Sequence, residues 1–503
     1  MAYSRVTSHT MSETEQNRIE PLEYRDPAVL LQEGGSVKDI PAEEIDPALD
    51  RRVKWKLDLF ILPLVSSVYF FGSMGRSDLG NTRIAGIEED LSLTPGDFSN
   101  AATTFLVANL IFQLPGTLLI KELHPNRQFA GAMMMWGFLT AITVLISNSA
   151  QLLALRFLIG GAEAFVQGGT FYISFWYQYN EIATRGAIIA ATSTLAGAFN
   201  GLIAYGIAKN LDGANGWRPW RWIFLIEGIA PIAFSFVVLL LLPTSPAGLR
   251  WGFSEEEKVH IKRRSARSHN SSEARLDYRK IHKILLDFHF WLFILIACGA
   301  QFCQSSFSNF LPELIHNFGY DEINAQLFTT IVYACGCVGI LFFCRVADKT
   351  NARGLTMAAS TVGGVIGYAI LIWVRNREVR FAATCLIAFS VYPSTVLYLT
   401  WGAMNFIGYT RRGSALAFFN IFPHLFSICG NQAYRDPPYY SVGNTASLAM
   451  VIMMLLSSLA LRWYLEFLNK RKRANQSSEQ AIATRGESLE NIGDHHPDFF
   501  YQR

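Results

Sequence analysis

The chain reads as an all-α polytopic membrane protein with twelve transmembrane helices arranged as two six-helix halves. Roughly twelve stretches of about 18 to 25 mostly apolar residues lie between positions 57 and 465, in two groups of six around one long charged insert. Hydrophobic residues make up 51% of the 503, and the charged 17% concentrate in connections and tails. A run of ~20 apolar residues spans the ~30 Å hydrocarbon layer, where a helix satisfies its own backbone without a lipid-exposed edge.

The expected spans cover roughly 57–75, 98–120, 128–147, 152–177, 187–208 and 222–242, then 290–312, 326–346, 356–374, 381–401, 414–433 and 444–465. They divide the chain into a tail (1–52), a first half (53–242), a central loop (243–289), a second half (290–467) and a further tail (468–503). The first tail carries Glu13, Glu15, Glu43, Glu44, Asp46 and Asp50 and lacks the order of a cleavable signal peptide. Both tails have the polar composition of disordered segments. Cys298, Cys303, Cys335, Cys337, Cys344, Cys385 and Cys429 all fall in or at the ends of spans, where a free thiol behaves as a small apolar group. Cys335-Gly-Cys337 lacks the partners of a zinc site, so no disulfide, metal or other cofactor is expected.

Orientation follows from lysine and arginine in short loops. With the first tail inside, the inner segments hold Arg51, Arg52, Lys54 and Lys56, then Lys121 and Arg127, Arg185, the insert with Lys262 to Arg264, Lys349 and Arg353, Arg411 and Arg412, and Lys470 to Arg473. Arg218 with Arg221, and Arg375 with Arg377 and Arg380, run against the trend without reversing it. Both tails and the insert are therefore expected to be cytoplasmic.

Several strings resemble one family. Leu79-Gly80-Asn81-Thr82-Arg83-Ile84-Ala85-Gly86, Arg156-Phe-Leu-Ile-Gly160-Gly161-Ala162-Glu163-Ala164, Trp217-Arg-Pro-Trp-Arg-Trp-Ile-Phe-Leu-Ile-Glu227-Gly228 and Tyr434-Arg-Asp-Pro-Pro-Tyr439 are similar to the fungal anion:cation symporters of the major facilitator superfamily, which include the allantoate and nicotinate permeases. The resemblance covers about residues 50–470 and implies secondary transport of small organic anions, commonly with protons. It also implies a cytoplasmic latch after spans two and eight. Ala347-Asp348-Lys349-Thr-Asn-Ala-Arg353 keeps an acid and a base of that latch, whereas Lys121-Glu-Leu-His-Pro-Asn-Arg127 lacks the acid at the usual place. Asp348, Arg353 and Arg76 are thus expected in gating. Lys121 and Arg127 fit the simpler inner-side charge bias.

The family commonly has Asp-Arg-Thr-Asn at the outer end of span one, and this chain has Gly75-Arg76-Ser77-Asp78. Asp78 is expected to take over the missing acid's partnership with Arg76, the alternative being a snorkelling Arg76. In span five, Gly197-Ala-Phe-Asn-Gly201 is a small-x-x-x-small contact, and Leu202 stands where antiporting relatives carry proline.

Charges within spans carry the functional expectation, because each costs about 2.5–3.5 kcal/mol if unpaired and such residues face a bundle interior or wet cavity. Arg156 and Glu163 lie two helical turns apart on one face of span four. Arg156 is expected to attract a substrate carboxylate, with Glu163 and Asp78 carrying the coupling proton; the alternative is a structural ion pair. Asn420, His424, Ser427 and Asn431 share one face of span eleven. With Gln301, Gln304, Ser308, Ser394, Tyr398 and Trp401 they mark cavity-facing helices, or else interhelical glue worth ~0.6 kcal/mol each. His424 is singled out because its ordinary pKa near 6.5 suits proton-linked transport. Arg156, Gln301, Gln304, Tyr398, Trp401, Asn420 and His424 form the expected substrate-binding set.

The function expected is alternating-access transport of a small organic anion across the plasma membrane by a monomer, coupled to protons and embedded in lipid, with no nucleic-acid partner. Export of a fungal secondary metabolite and a non-transporting nutrient sensor are the alternatives. An enzyme is disfavoured because His260, His269 and His282 are scattered through a charged insert and read as solvated; no phosphate-binding Gly-x-x-x-x-Gly-Lys-Ser/Thr occurs, so ATP-driven pumping is not expected. The topology is checked by tags at residue 30, within 255–275 and at residue 490. All three should be reached by antibody only after cells are permeabilised, and labelling of the insert in intact cells reverses the orientation.

Overall fold

The structure, a computed structural model, describes residues 47–120, 122–173, 175–177, 179–245, 249, 252–268, 284–406, 409–476, 496 and 499–502. Lys121, His269, His282 and the first tail up to residue 46 lie outside the described residues. Residues 51–503 form one compact unit.

Among the described residues there are twelve helices of sixteen residues or more: α1 (Pro47–Thr82), α2 (Pro95–Leu118), α3 (Pro125–Ile142), α4 (Ser149–Ala164), α5 (Tyr179–Asn210), α6 (Pro219–Leu241), α7 (Phe288–His316), α8 (Glu322–Thr350), α9 (Arg353–Trp373), α10 (Arg377–Asn405), α11 (Tyr409–Ala433) and α12 (Ser441–Ala474). Nine of these are, by length and composition, apolar enough to cross a membrane. The other three, α2, α4 and α11, hold Asn109 and Gln113, Arg156 and Glu163, and Asn420 and His424. Polar residues lower the hydropathy of α2 and α11, α4 is short at sixteen residues, and a helix that faces other helices rather than lipid tolerates polar groups.

Local chemistry sets the ends. Thr94 caps α2 through a reciprocal box in which its hydroxyl accepts from the Asp97 N–H and Asp97 accepts from the Thr94 N–H, with Pro95 at the first helical position. The span expected at 152–177 does not run through: α4 stops at Ala164 and a short helix, Gly169–Ile173, follows. The Tyr69 hydroxyl of α1 donates to the carbonyls of Val166 and Gln167 at 3.3 Å each, and the Tyr69 ring occupies the space a side chain at Gly169 would need, so the break is where α1 crosses. Span one is longer than expected. It continues past Thr82 into a π-helical turn, Arg83–Ile87, whose Gly86 takes a φ of 93° that favours glycine.

Helix pairings repeat when six is added to each number. Thus α2 packs on α4 as α8 does on α10, α3 on α6 as α9 on α12, and α3 on α4 as α9 on α10. Across the halves α5 packs on α8 and α2 on α11, which is one relation under the same symmetry. These crossings lie at the face opposite the one where α1 begins and α12 ends, the latter called here the terminal face. Gly201 gives room for Thr329 and Thr330, Gly197 for the Tyr333 ring and Gly80 for the Asn309 carbonyl. The small-x-x-x-small pair of span five is therefore a contact between halves.

The terminal face carries ion pairs within each half. A linker helix, Glu255–Ser268, docks on the first half: Glu257 pairs with Lys56 (2.7 Å) and Arg52 (3.1 Å), and Glu181 pairs with Lys54 (2.9 Å) and Arg264. Burial pushes the Glu257 carboxyl up, but Lys56, the Ser254 N–H and Arg52 together outweigh it and hold the group below the usual carboxylate range. His260 is buried here and not solvated as its charged surroundings predict. The further tail also departs from the expected disorder, since α12 extends to Ala474 and residues 499–502 pack against the second half.

Two glycines separate stability from cycling. A Cβ at Gly160 would clash with the Phe105 carbonyl inside the first half, and one at Gly201 with the Thr329 hydroxyl across the halves. Gly160→Ala should lower the thermal midpoint of the purified protein by several degrees, the order of ~1–3 kcal/mol for overpacking. Gly201→Ala should lower that midpoint less, because its clash lies across the halves and is relieved when they separate there.

Candidate functional site

The site is built on an amide clasp between α1 and α5. Asn200 is fully buried; its Nδ2 donates to Asp78 Oδ1 at 2.7 Å and to the Met74 carbonyl at 3.1 Å, while its Oδ1 accepts from Asn81 Nδ2 at 3.0 Å. The second half repeats the clasp between α7 and α11, where Asn431 Oδ1 accepts from Asn309 Nδ2 at 3.0 Å and from the Ser305 hydroxyl. The first copy includes a carboxylate and the second does not. Sequence reading treats Asn200 only as part of a packing motif; its spacing of 231 from Asn431 gives no signal without the helix pairing.

Against this clasp stand two arginines and two further acids. Arg156 of α4 is 3% exposed, donates to the Gly75 carbonyl at 3.2 Å, lies over the Phe224 ring at 5.4 Å, and is in the field of Asp78, Glu163 and Glu227. Glu227 of α6 is 6% exposed, neither of its carboxylate oxygens has a well-formed hydrogen bond, and it faces the Asp78 carboxyl. Sequence reading passes over Glu227, although the rule that singles out Arg156 and Glu163 applies equally to an acid inside the 222–242 span.

Arg76 does not pair with Asp78. Its Nε lies 3.3 Å from Glu163 Oε1, and Nη2 donates to the Ser73 hydroxyl. Asp78 sits on the other side of α1, turned toward Asn200. Glu163 in turn fits beside Gly72, where a Cβ would lie 3.2 Å from Oε1. A Cβ at Gly75 would meet only Asp78 Oδ2, at 4.0 Å, so the position of the missing family acid is open. Three buried carboxylates thus face two guanidiniums, and the two guanidiniums differ: the Arg76 side chain is 35% exposed and Arg156 is closed in.

In the second half the expected residues divide. Asn420 and His424 lie along α11, with His424 Nδ1 at 2.6 Å from the Asn420 carbonyl and the imidazole within the field of Arg76 across the halves. Gln304 accepts from the Thr395 hydroxyl at 2.7 Å, and the Gln301 carbonyl accepts from Ser427, both between helices. Tyr398 and Trp401 are core residues rather than cavity ones: Tyr398 packs edge-on to Phe419, and Trp401 packs on Phe293 with its indole N–H donating to the Gln502 carbonyl at 2.8 Å. Amphipathic spacing places a residue on a face but does not say whether that face meets a cavity or another helix.

Toward the opposite face the halves are joined by charge. Arg83, 5% exposed, pairs with Glu88 at 2.7 Å in the first half and with Glu313 in the second, donates to the Tyr440 hydroxyl at 3.1 Å, and lies over the Phe98 ring at 4.5 Å. Gln432 of α11 reaches Thr103 of α2 at 2.6 Å, and Arg435 reaches Asn100. Arg218, which runs against the loop-charge trend, pairs with Asp90 at 3.0 Å on this face. On the terminal face Asp348 and Arg353 make their pair at 3.0 Å between α8 and α9.

A model of the Major Facilitator Superfamily matches residues 65–430. The chain belongs to that superfamily. It is 29% identical over 85% of its length to 86% of an uncharacterized transporter of Schizosaccharomyces pombe, and 24% identical over 90% of its length to 85% of the high-affinity nicotinic acid transporter of Saccharomyces cerevisiae. Its fold matches the crystal structure of a bacterial homolog of the human lysosomal transporter Spinster, inward-facing and unoccupied, at a TM-score of 0.61 and 13% identity, covering 83% of this chain and 97% of that one. This facilitator-superfamily protein is therefore a multi-pass membrane secondary transporter and not an enzyme.

The Arg83 junction makes a direct prediction. A cysteine placed at Thr103, in a chain cleared of native cysteines, should react slowly with an impermeant maleimide. Arg83→Ala should raise that rate several-fold by weakening the junction between halves, and Glu313→Gln should raise it less. An unchanged rate in both variants means the junction does not hold this face closed.

Proposed function

We propose that this transporter moves a small organic anion across the plasma membrane together with a proton, as an anion:cation symporter with both tails cytoplasmic. The terminal face is then the cytoplasmic one, and the contacts around Arg83, Gly201 and Gln432 close the outer side. One observation supports the anion reading above the others: a partly exposed guanidinium, Arg76, sits between the halves 3.3 Å from the buried Glu163 carboxylate. The nicotinic acid named for one relative is a carboxylate of the kind that a guanidinium recognises.

Arg76 takes the substrate-holding role and Arg156 the structural one, because an anion reaches the exposed guanidinium without first breaking a buried network. Coupling follows from charge balance. An incoming carboxylate that draws Arg76 away leaves Glu163 buried with only Arg156, which it shares with Asp78 and Glu227, and the excess buried negative charge is relieved by taking up a proton. The neutral Glu163 then lets Arg76 turn to the anion. Glu227 and Asp78, which share Arg156, form a carboxyl pair able to hold one proton between them. His424 faces Arg76 from the other half and completes the polar surround of the anion.

The test is uptake into proteoliposomes, with nicotinate as the first of a panel of small carboxylates and neutral nicotinamide as the control. The expected result is accumulation of a carboxylate only with an inward proton gradient, loss of uptake in Arg76→Ala, and partial retention in Arg76→Lys. Glu163→Gln should lose gradient-driven accumulation tenfold or more yet keep anion exchange. Full uptake in Arg76→Ala, or transport of neutral compounds alone, defeats the proposal.

A further inference from the structure

The segment Phe499–Gln502 sits in a notch between the start of α7, the end of α10 and the terminal-face extension of α12. Two asparagines read its backbone. Asn469 of α12 donates to the Tyr501 carbonyl at 2.9 Å and accepts from the Tyr501 N–H at 2.8 Å. Asn405 of α10 does the same to the next residue, donating to the Gln502 carbonyl at 3.1 Å and accepting from its N–H at 2.9 Å, with Trp401 Nε1 adding a donor to that carbonyl. A primary amide that pairs with both N–H and C=O of one residue offers what a neighbouring β-strand offers, so the notch recognises an extended backbone. Asn405 is fully buried, and Asn469 and Tyr501 nearly so.

The side chains fix the register. The Tyr501 ring is 4% exposed, meets His289 at 5.7 Å edge-on and Phe499 at 5.2 Å, and Lys472 lies over the Tyr501 ring at 4.7 Å while donating to the Phe499 carbonyl at 3.0 Å. Three elements are thereby tied together at one face. One of them, α10, contains Pro393, twelve residues before its end. Proline removes a helical hydrogen bond and makes a pivot, so the stretch from Ser394 to Asn405 is free to bend unless something holds its end.

We infer that this notch is a docking site for an extended peptide whose occupant is the chain's own segment 499–502, and that the seated segment is an inhibitory brace. Seated, it pins the end of α10 to α7 and α12 and holds the terminal face open. Released, it lets α10 bend at Pro393 and the terminal face close. The inference needs no substrate and does not rest on the anion reading.

Docking and bracing are tested separately. A chain ending at residue 495 is mixed with a fluorescent peptide of residues 496–503, and binding is read by anisotropy. Micromolar binding is expected, with a loss of tenfold or more for a Tyr501→Ala peptide and for Asn469→Ala in the protein; absence of binding overturns the docking site. For the brace, spin labels are placed on Ile188→Cys and Met404→Cys, both exposed side chains near the terminal face, in a cysteine-free full-length chain. The full chain should give one long distance, and both the shortened chain and full-length Tyr501→Ala should add a shorter one that excess peptide removes from the shortened chain. Identical distance distributions in full-length native and Tyr501→Ala chains overturn the brace, even where the shortened chain fails to fold.

Discussion

A charge buried in a hydrocarbon layer must be compensated within the protein, and the first half is organised around that constraint. Asp78 is tolerable because Asn200 donates to it; Arg156 because the Gly75 carbonyl and three acids surround it; Glu163 because Arg76 lies 3.3 Å away. Each solution uses a different helix, so α1, α4, α5 and α6 are held in one arrangement by a single network. That network gives the half a rigidity that apolar packing against lipid-like surroundings cannot supply.

The constraint also divides labour between the halves. The second half repeats the amide clasp at Asn309 and Asn431 but places serine, not a carboxylate, beside it. Charge therefore concentrates on one side of the interface, and α11 presents neutral polar groups and His424 to it.

The junction at Arg83 and the braces on the terminal face are of different strength. Arg83 is buried among Glu88, Glu313, Tyr440 and Phe98, whereas Asp348 is 72% exposed in its pair with Arg353. Exposed pairs contribute ~0–1 kcal/mol, so the Asp348–Arg353 pair adds little to the terminal face, and docked segments such as the linker helix and residues 499–502 hold more of its structure.

What the sequence determined by itself is whatever depends on local composition and period. Helix number, the division into six and six, and membrane-depth charges at Arg156 and Glu163 were legible because a 20-residue apolar run and a charge within it mean the same thing in any fold. The break after Ala164 was not, since it depends on Tyr69 arriving from α1. Nor was the pairing of Arg76 with Glu163 in place of Asp78: residues two apart on a helix point to opposite sides, and only the position of α4 and α5 decides which neighbour each one meets. Trp401 reads as cavity-facing by spacing, yet the fold turns it toward Gln502, a residue 101 positions away. Tertiary structure decided these points because ion pairs and packing are chosen by distance in space, and sequence spacing measures that distance only within one element.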